Sequence, residues 1–214
     1  MTANSKDYYL VGTIGVAVGL LAQPILANTI QNLEHVTNLS SGTLRAGTLI
    51  FFAVLAPIAL GIASFIGRRL PVVFEFAKFA AVGSLNSALD LGIFNLQTLI
   101  WGGDPKNLTT WLFFIFKSVS FLAATTNSFL WNKFWTFGDT HRSTSTTVIK
   151  FYAITVVTYA LNVGVATGLK TMGTFDGIPV NVWVNVVAPM IGILAAMFAN
   201  FLSYKYFVFK ADRP

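Results

Sequence analysis

The sequence predicts an all-α transmembrane fold: a helical bundle of six spans, the last four formed by two parallel two-helix repeats. Three observations carry this. Hydrophobic residues make up 55% of the 214 and charged residues only 10%, too apolar for a soluble domain and too ordered in composition for a disordered chain. The apolar residues gather into runs of about 20 or more, the length a helix needs to cross the bilayer and far beyond a barrel strand. Finally, the stretch Asn127-Ser-Phe-Leu-Trp-Asn-Lys-Phe-Trp-Thr-Phe137 returns, altered, as Ala199-Asn-Phe-Leu-Ser-Tyr-Lys-Tyr-Phe-Val-Phe209.

The two copies lie 72 residues apart, and the same gapless shift lays Lys78-Phe79 on Lys150-Phe151, Leu89-Asp-Leu-Gly92 on Leu161-Asn-Val-Gly164, Trp111 on Trp183, and Ala123-Ala124 on Ala195-Ala196. Matched ends and middles without a gap indicate an internal repeat. Each copy closes an apolar run with an amide, a lysine and aromatic rings, the composition of a membrane helix entering the headgroup layer.

The first run, about Tyr8 to Ile30, exceeds both the spanning minimum and the apolar core of a signal peptide, and Pro24 is expected to kink it. A polar connector is expected over Gln31 to Leu44. The second run, about Arg45 to Ile66, stops at Gly67-Arg68-Arg69. Beyond Pro71, Val72 to Phe79 is amphipathic and is expected to lie along the headgroups before the third run, about Phe76 to Trp101, which contains Asn86, Asp90 and Asn95. The fourth run, about Trp111 to Phe134, contains Lys117, Thr125, Thr126 and Asn127. A polar loop, Gly138 to Thr147, leads to the fifth, about Val148 to Leu169 with Asn162, and the sixth, about Val180 to Tyr206 with Pro189 and Asn200. The domain organisation is therefore an extension of two spans (1–70), repeat one (71–138), a cytoplasmic linker (139–147) and repeat two (148–214).

Lysine and arginine set the orientation. With the amino terminus inside, Lys6, Arg68, Arg69, Lys78, Lys133, Arg142, Lys150, Lys205, Lys210 and Arg213 are cytoplasmic, ten against Arg45, Lys106 and Lys170 opposite, with Lys117 inside a span. Both termini are expected in the cytoplasm, in a multi-pass protein of the cytoplasmic (inner) membrane. Each repeat has two spans, so both copies point the same way. The net charge of +6 then reads as topology and attraction to anionic phospholipids, not as a nucleic-acid surface. Without cysteine there are no disulfides or thiolate sites, and His35 and His141 fall in connecting loops, so no metal and no cofactor is expected.

From Lys78 to Phe209 the chain resembles the GtrA-like family of small polytopic membrane proteins. The pieces that carry the resemblance are Phe76-Ala-Lys-Phe-Ala-Ala-Val-Gly-Ser-Leu-Asn86, Leu89-Asp90, Asn127 to Phe137, and Asn200-Phe-Leu-Ser-Tyr-Lys-Tyr-Phe-Val-Phe209. The resemblance implies four spans and a role in cell-surface polysaccharide or glycolipid synthesis. Specifically, it implies translocation of a polyprenyl-phosphate-linked monosaccharide, undecaprenyl phosphate being the expected carrier, or a non-transporting scaffold that recruits a polyprenyl-phosphate glycosyltransferase. The two spans of the extension depart from that pattern.

Asp90 and Lys117 are the charges well inside apolar runs, and each costs about 2.5–3.5 kcal/mol at a helix centre. At about 1.5 Å per residue their depths agree, so they are expected to pair across neighbouring antiparallel helices. Such a pair either fixes helix register or binds an anionic headgroup, with Asp90 holding the lysine or accepting a sugar hydroxyl. The 72-residue shift turns Asp90 into Asn162 and Lys117 into Pro189, so an asymmetric site is expected. Lys133 and Lys205, with Arg68, Arg69 and Lys78, either anchor in headgroups or collect the lipid phosphate, and Trp131, Trp135 and Tyr204 offer flat faces to the sugar or prenyl chain. Asn86, Asn127, Asn132, Asn162 and Asn200 are either interhelical hydrogen-bonding groups or ligand contacts. Gly83, Gly92, Gly164, Gly168 and Gly192 are expected at close helix approaches. No glycine-rich phosphate loop, paired carboxylates or activated nucleophile appears, so a non-enzyme is expected. The partners expected are the sugar lipid, phospholipids, a glycosyltransferase and, in a homo-oligomer, further copies of the chain. A small-cation exporter is disfavoured because the interior carboxylate faces a lysine.

Overall fold

Helix starts coincide with short polar side chains that cap the orphan amides of a first turn. In α1 (Ser5–Thr37), Asn4 and Asp7 form a reciprocal capping box. Ser40 caps α2 (Ser41–Gly67), and Pro71 occupies the first turn of α3 (Pro71–Trp101), where its missing amide costs nothing. Thr109 caps α4 (Thr110–Trp131) and Thr144 caps α5 (Ser145–Thr171); α6 (Ala188–Ser203) completes the set. The computed structural model describes residues 2–102, 109–139, 143–173 and 188–209, all helical apart from short connections.

Among the described residues, four of these helices are long and apolar enough to cross a membrane: Ser5–Ala27 of α1, α2, α3, and Ile191–Val208 at the end of the chain. The other two, α4 and α5, are 22 and 27 residues long and carry Lys117 and Asn127 or Lys150 and Asn162. The protein is thus an all-helical membrane protein. Lys106, His141, Arg142, Trp183, Lys210, Arg213 and the start of the sixth apolar run lie outside the described residues, as do the side chains of His35, Lys170 and Pro189.

Two expectations about connections are corrected. The polar connector over 31–44 shrinks to residues 38–40, because nothing in Gln31 to Thr37 breaks a helix; α1 ends where Asn38 turns left-handed (φ 57°) and its amide bonds Glu34 O. Likewise Val72 to Phe79 is no separate interfacial piece. It forms the opening turns of one continuous 31-residue helix, since no breaker separates Pro71 from Gly102, whose φ of 75° caps the far end.

The chain divides into two compact units, Met1–Thr136 and Phe137–Pro214. This boundary falls within two residues of 138, where the first of the two expected repeats ends. The extension, set apart at 1–70 in the sequence, instead shares the first unit: α1 packs on α2 and α3, α2 on α3, and α3 on α4. Val11, Ile14 and Val18 of α1 meet Leu60 of α2 and Phe74, Val82, Leu85 and Ala88 of α3 in one apolar core. Glycine allows the closest approaches. A Cβ on Gly15 would lie 2.4 Å from Phe52 O of α2, and one on Gly92 would lie 2.6 Å from Leu21 O of α1. Gly92 thus plays its expected part, whereas Gly83, Gly164 and Gly168 have no described atom within 4 Å of a Cβ.

In the second unit α5 packs on α6. Phe151, Phe201, Tyr204 and Phe209 are buried there, with Phe151 and Tyr204 stacked at 4.6 Å and Phe137 and Phe209 at 5.5 Å.

Candidate functional site

The polar side chains of the first unit meet at two levels along the α3–α4 contact. Deeper in the spans, Lys117 Nζ donates to Asp90 Oδ2 at 2.5 Å and Ser120 Oγ donates to Asp90 Oδ1 at 2.7 Å. Ser120 lies three residues after Lys117, so one helix face delivers both donors to one carboxylate. Asp90 is therefore satisfied at both oxygens. Ser120 is wholly buried, but 41% of the Lys117 side chain and 25% of that of Asp90 remain exposed. An ammonium has three donors, and Asp90 engages one, so Lys117 retains hydrogen-bonding capacity on an accessible face. Nearer the other end of the pair, Asn127 Nδ2 donates to Asn86 Oδ1 at 2.8 Å.

The second unit keeps the shallower level without the charges. Thr158, 72 residues after Asn86, donates to Asn200 Oδ1 at 2.8 Å, and Asn162, at the position of Asp90, is half-buried on α5.

The two matched stretches that follow α4 and α6 each widen into a π-helical turn, Asn132–Thr136 and Tyr204–Val208, 72 residues apart. Their side chains follow one pattern: Leu130 and Leu202 are exposed, as are Phe134 and Tyr206, while Thr136 and Val208 are buried. A π turn often marks a functional position, because it shifts which side chains face inward.

That shift corrects three expectations. Lys133 does not reach for headgroups; it is 2% exposed, with Nζ 5.6 Å from the Phe134 ring centre. Tyr204 offers no flat face to a ligand, being enclosed by Phe151 and bonded through its hydroxyl to Thr155 Oγ1 at 2.7 Å. Asn132 is 1% exposed, its amide nitrogen bonded to Ser128 Oγ at 3.2 Å. By contrast Trp131 is half-buried, Lys205 is half-buried over the Phe201 and Tyr206 rings, and Arg68 and Arg69 are exposed.

The profile of the GtrA/DPMS transmembrane domain matches residues 78–212, well over half of the chain and including every one of these paired positions. The chain belongs to the GtrA/DPMS transmembrane domain family. No curated protein and no solved structure matches it.

The GtrA/DPMS domain opens at Lys78, and at that residue the extension takes hold of it. Asp7 of α1 accepts from Lys78 Nζ at 3.3 Å and from Trp135 Nε1 at 2.9 Å, and Lys78 Nζ lies 5.0 Å from the Trp135 ring centre. Trp131 packs edge-on against Trp135 at 5.6 Å. Lys78, expected to anchor in headgroups, is 12% exposed and neutralised by Asp7 instead. Sequence reasoning missed Asp7 and Ser120. Ser120 was accessible through its spacing from Lys117; Asp7 gave only a local signal, its capping box with Asn4, and nothing pointing to a partner 128 residues away.

Proposed function

We propose that this GtrA/DPMS protein translocates a polyprenyl-phosphate-linked monosaccharide across the cytoplasmic membrane for cell-surface polysaccharide or glycolipid synthesis, without catalysing bond chemistry itself. The accessible Lys117, held but not consumed by Asp90, carries the reading. A sealed ion pair serves register alone, whereas this one leaves cationic donors open in an apolar helix pair, where an anionic phosphate or sugar hydroxyl gains most from them. The family match supports the same class of substrate. Asn86 and Asn127 extend the polar track toward the cytoplasmic end of α3, and Asn162, Asn200 and Lys205 supply the neutral counterparts and the cation of repeat two. The two repeats are like-oriented hairpins in a six-span chain with both termini cytoplasmic, a reading supported by the matched π turns 72 residues apart and by the charge bias of the loops.

The test is reconstitution of the purified chain into vesicles containing a polyprenyl-phosphate monosaccharide, with the sugar in the outer leaflet read by a membrane-impermeant probe. Exchange between leaflets by the chain alone supports the proposal. Absence of exchange, together with recruitment of a polyprenyl-phosphate glycosyltransferase to the vesicles, would replace it with the scaffold role.

A further inference from the structure

The face of α3 that receives α1 is built from Lys78, Ala81, Leu85, Ala88 and Gly92, at alternating spacings of three and four residues that align on one side of a helix. At positions 72 residues later, α5 carries Lys150, Ala153, Val157, Ala160 and Gly164, so that only Leu85 has changed, to Val157. The residues are alike, but what lies on them differs. On α3, Leu85 is 5% exposed, Ala88 and Gly92 are buried, and Asp7 neutralises Lys78. On α5 the five matched residues are all exposed, Val157 at 67%, and no described atom lies within 4 Å of a Cβ on Gly164. Beside the two faces the contrast continues: Trp135 is buried and bonded to Asp7, whereas Phe207, at the matched position, is 67% exposed.

The contact on α3 specifies what the face on α5 would accept. Asp7 meets Lys78 and Leu21 meets Gly92, so α1 runs parallel to α3, with its carboxylate at the lysine end and its backbone close to the glycine. Small residues allow that close approach, and a lysine at the end of an apolar face calls for an opposite charge. Lys150 has no ion pair among the described residues. A second copy of this chain is a poor source of the missing acid. Its described carboxylates near the starts of α1 and α3 and the first π turn, Asp7, Glu75 and Asp139, are each only 7% exposed. Two α5 faces paired about an axis along the membrane normal would moreover set Lys150 against Lys150. We infer that this face of α5 docks a transmembrane helix of another protein. That helix runs parallel to α5, carries an Asp or Glu in its first turn opposite Lys150, and packs apolar side chains over Ala153, Val157, Ala160 and Gly164. The inference concerns a protein partner and holds whether or not the chain moves a sugar lipid.

The chain has no cysteine, so disulfide trapping reads the contact directly. The probe is a synthetic peptide of residues 1–37, the α1 sequence, with Ile14→Cys, because Ile14 lies midway between Asp7 and Leu21 and so opposite the middle of the stripe. Full-length chain carrying Val157→Cys, a change at an exposed position, is reconstituted in vesicles with this peptide and mildly oxidised. The mixed disulfide is expected to exceed by at least about tenfold that formed by Tyr159→Cys, which is 66% exposed but turned to the opposite side of α5. Asp7→Asn in the peptide is expected to reduce the yield, and so is Lys150→Gln in the chain. Equal trapping at Val157→Cys and Tyr159→Cys, or none at either, would overturn the inference and leave the face to lipid. Disulfides between two Val157→Cys chains in preference to the peptide would overturn it in favour of a homodimer. A yield indifferent to both Asp7→Asn and Lys150→Gln would overturn the acidic character assigned to the partner.

Discussion

Asp90 is the side chain on which both the packing and the proposed transport of the α3–α4 pair turn. Asp90→Asn removes the countercharge of Lys117 and weakens the bond from Ser120. Breaking a fully buried pair costs about 3–5 kcal/mol, but the exposure of Lys117 lets solvent or headgroups compensate, so a loss of about 1–3 kcal/mol is expected in thermal or denaturant unfolding in detergent. Translocation is expected to fall at least about tenfold, equivalent to about 1.4 kcal/mol of barrier. Trp135→Phe separates a structural role from a transport role elsewhere. It keeps the aromatic volume but leaves Asp7 Oδ1 one donor short, at about 1–3 kcal/mol, so the unfolding midpoint is expected to drop while the bound sugar lipid is unaffected. The Asp90–Lys117 contact was legible because charge inside an apolar run must find a partner, and depth left few choices. The enclosure of Lys133 and Tyr204 was not legible, because a π turn re-aims side chains without any distinctive residue to announce it.

At the level of elements, glycine governs how α1 joins the GtrA/DPMS domain. Gly15→Leu and Gly92→Leu each place carbon atoms where a neighbouring backbone carbonyl already sits, so each is expected to lower stability by about 1–3 kcal/mol, whereas Gly83→Ala, whose added Cβ meets no described atom within 4 Å, is expected not to lower it. Unfolding midpoints of the three variants check this. Apolar runs gave the helices their membrane-embedded cores, but not their ends: α1 continues through Thr37 and α3 begins at Pro71 because helix termination follows caps and breakers, not hydropathy. The stripe of contact between α1 and α3 was likewise hidden, since a helix apolar on most sides does not declare which side meets protein and which meets lipid.

For the whole molecule, the sequence suggests an interval of 72 residues between like stretches, and the two π turns of the structure begin the same number of residues apart. What that interval does not disclose is that residues 1–70 join residues 71–136 in a single unit, because that depends on Asp7, Gly15 and Gly92 finding partners far along the chain. The predicted topology is directly testable since the chain has no cysteine. Single substitutions Thr2→Cys, Arg69→Cys and Ser145→Cys are expected to react with an impermeant maleimide from the cytoplasmic side, and Leu39→Cys and Thr109→Cys from the opposite side. Reaction of Arg69→Cys and Ser145→Cys from opposite sides would invert one hairpin relative to the other.

The most direct measurement is the translocation rate of the double variant Asp90→Lys with Lys117→Asp in vesicles that contain the sugar lipid. Exchanging the partners preserves an ion pair between α3 and α4 but moves the cation and its open donors to the other helix. A folded protein whose translocation is reduced at least about tenfold is predicted. A folded double variant that transports at the wild-type rate would show that the pair only sets helix register, and would contradict the account.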